Sequence, residues 1–283
     1  MSPLLRDRRA AVGAALLALV GGAALAAPLL SSADPTTQHD IVATRFLPPL
    51  ASDGSGEFHL LGTDRFGRDV WTRLVYGARI SLAVGASAVL LSVAIGVVVG
   101  GAAGYWPGPV RTLLLGVTDF TLALPRVVLL LLLAAFARPN AGLVILLLGL
   151  TGWMTVARLV HGEVRSLAVR PFVEGAVALG VSRPRVLTRH LLPNALAPVI
   201  VSAALGLANA VMLEAGLSFL GLGVQPPTPS WGNMIASGRD TLVNAPWVAV
   251  APGVALVVVV LACTLLGDAL QDALQPVSRT DRA

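Results

Sequence analysis

The sequence predicts an all-α protein, a polytopic membrane bundle of about six transmembrane helices. Charge is scarce: of 283 residues 55% are hydrophobic and 12% charged, and mean hydropathy is +0.80. A soluble domain keeps its surface wet with roughly a quarter of its residues charged. Apolar runs recur at the roughly 20 residues that a helix needs to cross hydrocarbon. Arginines gather on one set of connections, the asymmetry expected between the two sides of a membrane.

The same counts exclude several function classes. All 20 basic residues are arginines, with no lysine. A phosphate-binding loop of the P-loop type needs a lysine ammonium on the β/γ-phosphates, so if nucleotide powers this chain, another subunit binds it. A net charge of +5 is carried by arginines that flank apolar runs on one side, which fits topology and not a nucleic-acid footprint. Cys263 lies alone in an apolar run, which rules out an internal disulfide. His39, His59, His161 and His190 show no metal-ligand spacing, and no serine sits in a nucleophile elbow. No enzymatic activity, metal or cofactor is expected in the chain itself.

The first run, about Ala10 to Leu30, follows Arg6, Arg8 and Arg9, which should stay cytoplasmic. Ala24-Leu25-Ala26 resembles a signal-peptidase site, but the run exceeds the roughly 7–15 residues of a signal-peptide core, favouring a retained anchor over residues 1–30. Residues 31–78 are polar and rich in Pro, Asp, Ser and Gly, which predicts an external segment. A core of five further spans then covers residues 79–270. The second span runs from near Ile80 to Gly104, with Gly96, Gly100 and Gly104 on one face for a close helix pair. Tyr105 to Pro109 forms an interfacial turn. The third span, Val110 to Phe136, contains Pro125, which should kink or unwind it. Spans follow at about Gly142–Val160, Ala195–Leu217 and Val248–Leu266, with an external loop over 218–247 and a frayed polar tail from Asp268, cytoplasmic over 271–283. The connection 161–193 holds Arg165, Arg170, Arg183, Arg185 and Arg189, which makes it cytoplasmic, and counting spans from it places both termini inside.

That connection carries the most information. Pro171 suits the first turn of a helix and Gly180 its left-handed end. Between them Phe172, Val173, Ala176 and Val177 share one face. Ser182 can cap a second short helix, which should stop before Pro193. Small residues Gly175, Ala176 and Ala178 let a partner surface approach.

Glu174-Gly175-Ala176, Gly180 and Leu192-Pro193 resemble the "EAA" loop of ABC importer permeases. The family pattern is Glu-Ala-Ala, three residues, Gly, nine residues, Ile, one residue, Leu-Pro; here Gly175 replaces an Ala and His190 the Ile. The segments from Gly62 to Trp71, Tyr76 to Leu82, Arg189 to Asn194 and Ser218 to Gly232 resemble the "C"-type dipeptide/oligopeptide/nickel branch, in which His190 is a branch feature. The resemblance implies a bacterial inner-membrane subunit forming half of a translocation path for di- or oligopeptides, with nickel chelates and glutathione-like solutes as alternative cargo. It implies a second homologous permease, one or two kinds of cytoplasmic ABC ATPase that bind ATP and Mg, and an extracytoplasmic solute-binding protein. It makes Phe172, Val173, Glu174, Gly175, Ala176, Gly180, Arg183, Arg185, His190, Leu192 and Pro193 the ATPase-coupling loop, a lever for rigid-body switching. An ion-driven secondary transporter is the rival reading, although no inverted repeat supports it.

Asp119, Arg126 and Glu214 fall in or near spans, where a charge costs about 2.5–3.5 kcal/mol on insertion scales, so each should face a partner or water. Packing or interfacial roles are favoured for them over substrate contact. Asp119 and Arg126 are two helical turns apart, on one face but too distant to pair unless Pro125 intervenes.

Overall fold

The computed structural model describes residues 7–31, 33–38 and 40–274. Arg6, His39 and the tail from residue 275 lie outside the described residues. Helix α1 (Arg8–Leu25) is capped by Asp7, whose carboxylate accepts from the Arg9 N–H at 2.8 Å. It ends short of the expected Leu30 because Pro28, in the one-turn α2 (Ala27–Leu30), has no N–H to extend the ladder. A short α3 (Ile41–Thr44) and a hairpin of β1 (Ala51–Ser52) and β2 (Phe58–His59), pairing Ala51 with His59, lead to the longest early helix.

That helix, α4 (Val70–Tyr105), has 36 residues, or ~54 Å at about 1.5 Å per residue, well beyond a hydrocarbon core of roughly 30 Å. It starts at Val70 instead of near Ile80 because Asp69 caps it, accepting from the Thr72 N–H at 2.7 Å. The polar residues expected to form loop are thus its first turns.

α5 (Pro109–Ala123) and α6 (Arg126–Ala135) replace the single third span, bent by 85° at Leu124-Pro125. Both break residues are extended, with ψ of 136° and 107°. The break removes the shared face expected for Asp119 and Arg126. α7 (Ala141–Leu150) and α8 (Trp153–Ala168) together make one span that continues past Val160. α4 and α8 form the closest pair. A Cβ added at Gly96 would lie 2.5 Å from Val156 Cβ, and one at Gly104 2.8 Å from Val164 Cβ, so only glycine permits this approach.

After α9 (Pro171–Ala178) and α10 (Arg183–Val186), a π turn (Leu187–Leu191) passes directly into α11 (Leu192–Phe219). The expected stop before Pro193 does not occur. The wide turn, closed by Leu192 N–H to Leu187 C=O, precedes a proline that has no N–H to lose, and the Asn194 side chain donates to the His190 carbonyl at 2.6 Å. Ser182 makes no side-chain cap. α12 (Trp231–Arg239) begins with a Ser230/Asn233 capping box, and α13 (Trp247–Leu274) runs through Asp268, where a frayed tail was expected. Among the described residues, five helices are long and apolar enough to span a membrane, six if the bent α5–α6 pair counts as one.

Three apolar clusters hold the bundle. One joins α1, α4, α11, α12 and α13; a second joins α4, α6, α7 and α11; the third runs from Val156, Val160 and Val164 of α8 through Val173 and Val186 to Val199 of α11. The last cluster makes the α9–α10 segment part of the packed core.

Candidate functional site

The α9–α10 segment is built as a rigid corner. α9 starts on Pro171 and closes with a Schellman motif: Val181 N–H bonds Ala176 C=O at 3.1 Å, and Gly180 N–H bonds Val177 C=O at 2.9 Å. Gly180 sits at φ +80°, where a Cβ is disfavoured. At about 100° per residue, Ala176 and Val173 are the middle of the apolar stripe and Phe172 and Val177 its flanks. Val173 is 2% exposed and packed in the third cluster, whereas Phe172 is 49% and Val177 51% exposed. The four residues therefore divide: the centre holds the corner to the spans and the flanks remain open. Leu179, 87% exposed, adds to the open apolar surface, and Glu174 and Gly175 are also exposed.

Arginines frame this surface. Arg165, Arg170, Arg183, Arg185 and Arg189 are exposed and make no ion pair among the described residues. His190 and Leu192 are half-buried and Pro193 is exposed at the junction with α11. Leu192 lies over Gly101 of α4, where an added Cβ would be 3.0 Å from its Cδ2.

Between the spans lies a cavity of about 550 Å³, walled by α4, α8 and α11 and reached by Gln271 of α13. Its lining is mainly apolar, with Ser92, Thr155, Ser202, Asn209 and Arg126 as the main polar members. Arg126 opens α6 at the Pro125 break, its Nε donating to Thr151 Oγ1 and its Nη2 to the Leu148 carbonyl, both at 3.4 Å. Ser202 and Asn209 are seven apart on α11, a polar line at two-turn spacing that sequence reading passed over.

The other two span charges lie elsewhere. Asp119 of α5 pairs with Arg158 of α8, both about half exposed. Glu214 of α11 is 0% exposed and does not line the cavity. It accepts from Ser81 Oγ at 2.8 Å and Ser218 Oγ at 2.7 Å; the Trp231 N–H in turn donates to Ser81 Oγ at 3.2 Å and the Val224 N–H to Ser218 Oγ at 3.0 Å. One carboxylate thus ties α4, α11, α12 and the 220–230 loop together.

The Gly62–Asp69 turn sits at the same end of the bundle as α12. Asp64 accepts from the Phe66 N–H at 2.8 Å and pairs with Arg68 at 2.7 Å, while Trp247 Nε1 donates to the Thr63 carbonyl at 3.1 Å. Asp64 shapes the turn and Asp69 caps α4. His59 Nδ1 lies 2.8 Å from Asp69 Oδ2. Asp53, at the hairpin, has its carboxyl held below the ordinary range first by the Ser55 hydroxyl and then by the Glu57 N–H.

Known proteins share these features. Residues 92–280 match the family described as "Binding-protein-dependent transport system inner membrane component". A putative peptide transport system permease of Brucella abortus is 40% identical over 273 residues, covering 96% of this chain and 89% of that protein. A dipeptide transport system permease of Alkalihalophilus pseudofirmus is 36% identical, covering 96% and 87%, and a di/tripeptide permease of Pseudomonas aeruginosa 38%, covering 93% and 86%. A chain of the MetNI methionine ABC transporter, in an inward-facing conformation, shares the fold at TM-score 0.57 and 22% identity, covering 71% of this chain and 96% of its own length. Such permeases work in membrane complexes with separate ATPase subunits. The chain is a multi-pass inner-membrane protein and belongs to the family of inner-membrane components of binding-protein-dependent, ABC-type transport systems.

Proposed function

We propose that this chain is one of two homologous permease subunits of an ATP-driven peptide importer, and that the α9–α10 corner couples it to the engine. In this reading both termini and the corner are cytoplasmic, and an external solute-binding protein docks at the Gly62–Asp69 and α12 end. ATP and Mg are bound by ATPase subunits below. The peptide cargo rests on the relatives named as peptide, dipeptide and di/tripeptide permeases.

The observation that carries the coupling role is the divided stripe of α9. Val173 is locked into the same cluster as α8 and α11 and Ala176 beside it is buried, while Phe172, Val177 and Leu179 stand open beside exposed arginines. An apolar surface with a basic rim is what a groove on a partner needs as its counterpart. Because the buried face is continuous with two spans, a pull on the open face moves packed helices as bodies instead of bending a linker.

Replacing Gly180 by Val tests this. A β-branched residue in the left-handed region costs about 1–2 kcal/mol, enough to dissolve the cap and reorient α9. ATP-driven uptake into vesicles should fall at least tenfold, with membrane insertion unchanged by protease mapping. Normal uptake by this variant would remove the corner from the mechanism.

A further inference from the structure

We propose that Arg126 is a carboxylate-binding residue of the translocation cavity, holding the free C-terminal carboxylate of a peptide in transit. The proposal deepens the peptide-importer reading above and rests on it for the cargo.

A guanidinium offers five N–H donors and stays charged. Inside a bundle such a group is normally matched by a carboxylate, since an unmatched charge in low dielectric is costly. Three carboxylates in or near the spans have partners of their own: Asp119 pairs with Arg158, Glu214 accepts from Ser81 and Ser218, and Asp272 pairs with Arg9. Among the described residues Arg126 forms no ion pair. Its two acceptors, a hydroxyl and a carbonyl, are uncharged and lie at the long limit of 3.4 Å. Most of its donor capacity is unused, and it lines the cavity.

The surroundings fit a small zwitterion. About 550 Å³ falls within the roughly 300–1,000 Å³ of small-ligand sites. The walls are mainly apolar, suited to variable side chains, while Ser202, Asn209 and Thr155 supply neutral hydrogen bonds that do not depend on side-chain identity. One fixed cation in such a cavity selects for the feature common to every short peptide, its terminal carboxylate. The break at Pro125 is what makes the site possible: α6 begins with Arg126, so the side chain leaves from the start of a helix at the cavity wall, and first-turn N–H groups add favourable potential for an anion.

The test uses the complete importer with its binding protein in proteoliposomes. Uptake of dialanine and of dialanine amide is measured with Arg126→Gln, Arg126→Lys and the unaltered chain, and each variant's rate is divided by that of the unaltered chain for the same substrate. The same binding protein serves all three, so its own preference cancels. We expect Arg126→Gln to lower the free-acid ratio about tenfold or more with less than twofold change for the amide, and Arg126→Lys to restore most of the loss. Equal effects on both substrates, or none on either, would overturn the carboxylate assignment.

A second measurement does not need transport. Ser202→Cys, on the cavity wall, is labelled with a small methanethiosulfonate in the assembled complex. Free-acid dialanine should slow labelling severalfold with Arg126 present and not with Arg126→Gln, whereas the amide should protect in neither. Absence of Arg126-dependent protection refutes the site. If the unaltered importer takes up no peptide but protection is seen, the cargo reading falls and the anion site stands.

Discussion

At the residue scale the heaviest single investment is Glu214. A fully buried carboxylate is tolerated here because two serine hydroxyls donate to it and two backbone N–H groups hold those serines in turn. Glu214→Leu removes both acceptors at once and leaves the Ser81 and Ser218 hydroxyls buried without them. Each such loss costs about 1–3 kcal/mol, so the purified complex should melt several degrees lower, with α12 losing protection from hydrogen exchange first. An unchanged melting temperature would mean that the carboxylate is not the node. The presence of Glu214 in a span was plain from the sequence. Its partners were not, because Ser81 lies 133 positions away and spacing says nothing about contacts between distant helices. Arg126 illustrates the reverse: the charge was noticed, but only the third dimension shows it lining a cavity without a carboxylate partner. Gly180 was fully legible, since left-handed termination after a proline-started helix is a local property.

At the scale of elements, the α4–α8 pair and the α5–α6 break set the architecture. The stripe of Gly96, Gly100 and Gly104 lets α8 come within contact of the α4 backbone. Gly100→Leu inserts a side chain where a single Cβ already meets Ala157 and Val160, and overpacking of this kind costs about 1–3 kcal/mol or more. The expected result is reduced yield of folded complex; a fully stable variant would show that the two helices are free to part. Pro125→Ala should restore a ladder across the break. Spin labels at Val117 and Leu132 should then report a longer separation than in the unaltered chain, and an unchanged distance would assign the 85° bend to packing alone. Helix periodicity located the spans but not their joints. Asp69 advances the start of α4 by capping, Pro28 ends α1 early, and the π turn carries α11 back to Arg183 through Pro193. Each outcome depends on which of two neighbouring signals wins, and that is decided by tertiary packing.

At the scale of the whole molecule, the bundle has two unlike ends. One carries the Asp64–Arg68 turn, Trp247 and the capped α12, all tied by hydrogen bonds to spanning helices. The other carries the α9–α10 corner with its open apolar flanks and exposed arginines. Fold class and the helix–glycine turn–helix of residues 171–186 were readable, because the first depends on composition and the second on local signals. The cavity was not, because it exists only where α4, α8 and α11 diverge. The central proposal is that this corner is gripped by an ATPase on the inner side of the membrane. Val177→Cys places a thiol on the open flank of α9 while native Cys263 stays buried, and disulfide trapping in the assembled importer reads the contact directly. The account predicts a cross-link to the ATPase subunit whose yield changes between ATP-bound and nucleotide-free complexes. No cross-link in either state, or a thiol that reacts only with reagents added outside, would contradict it.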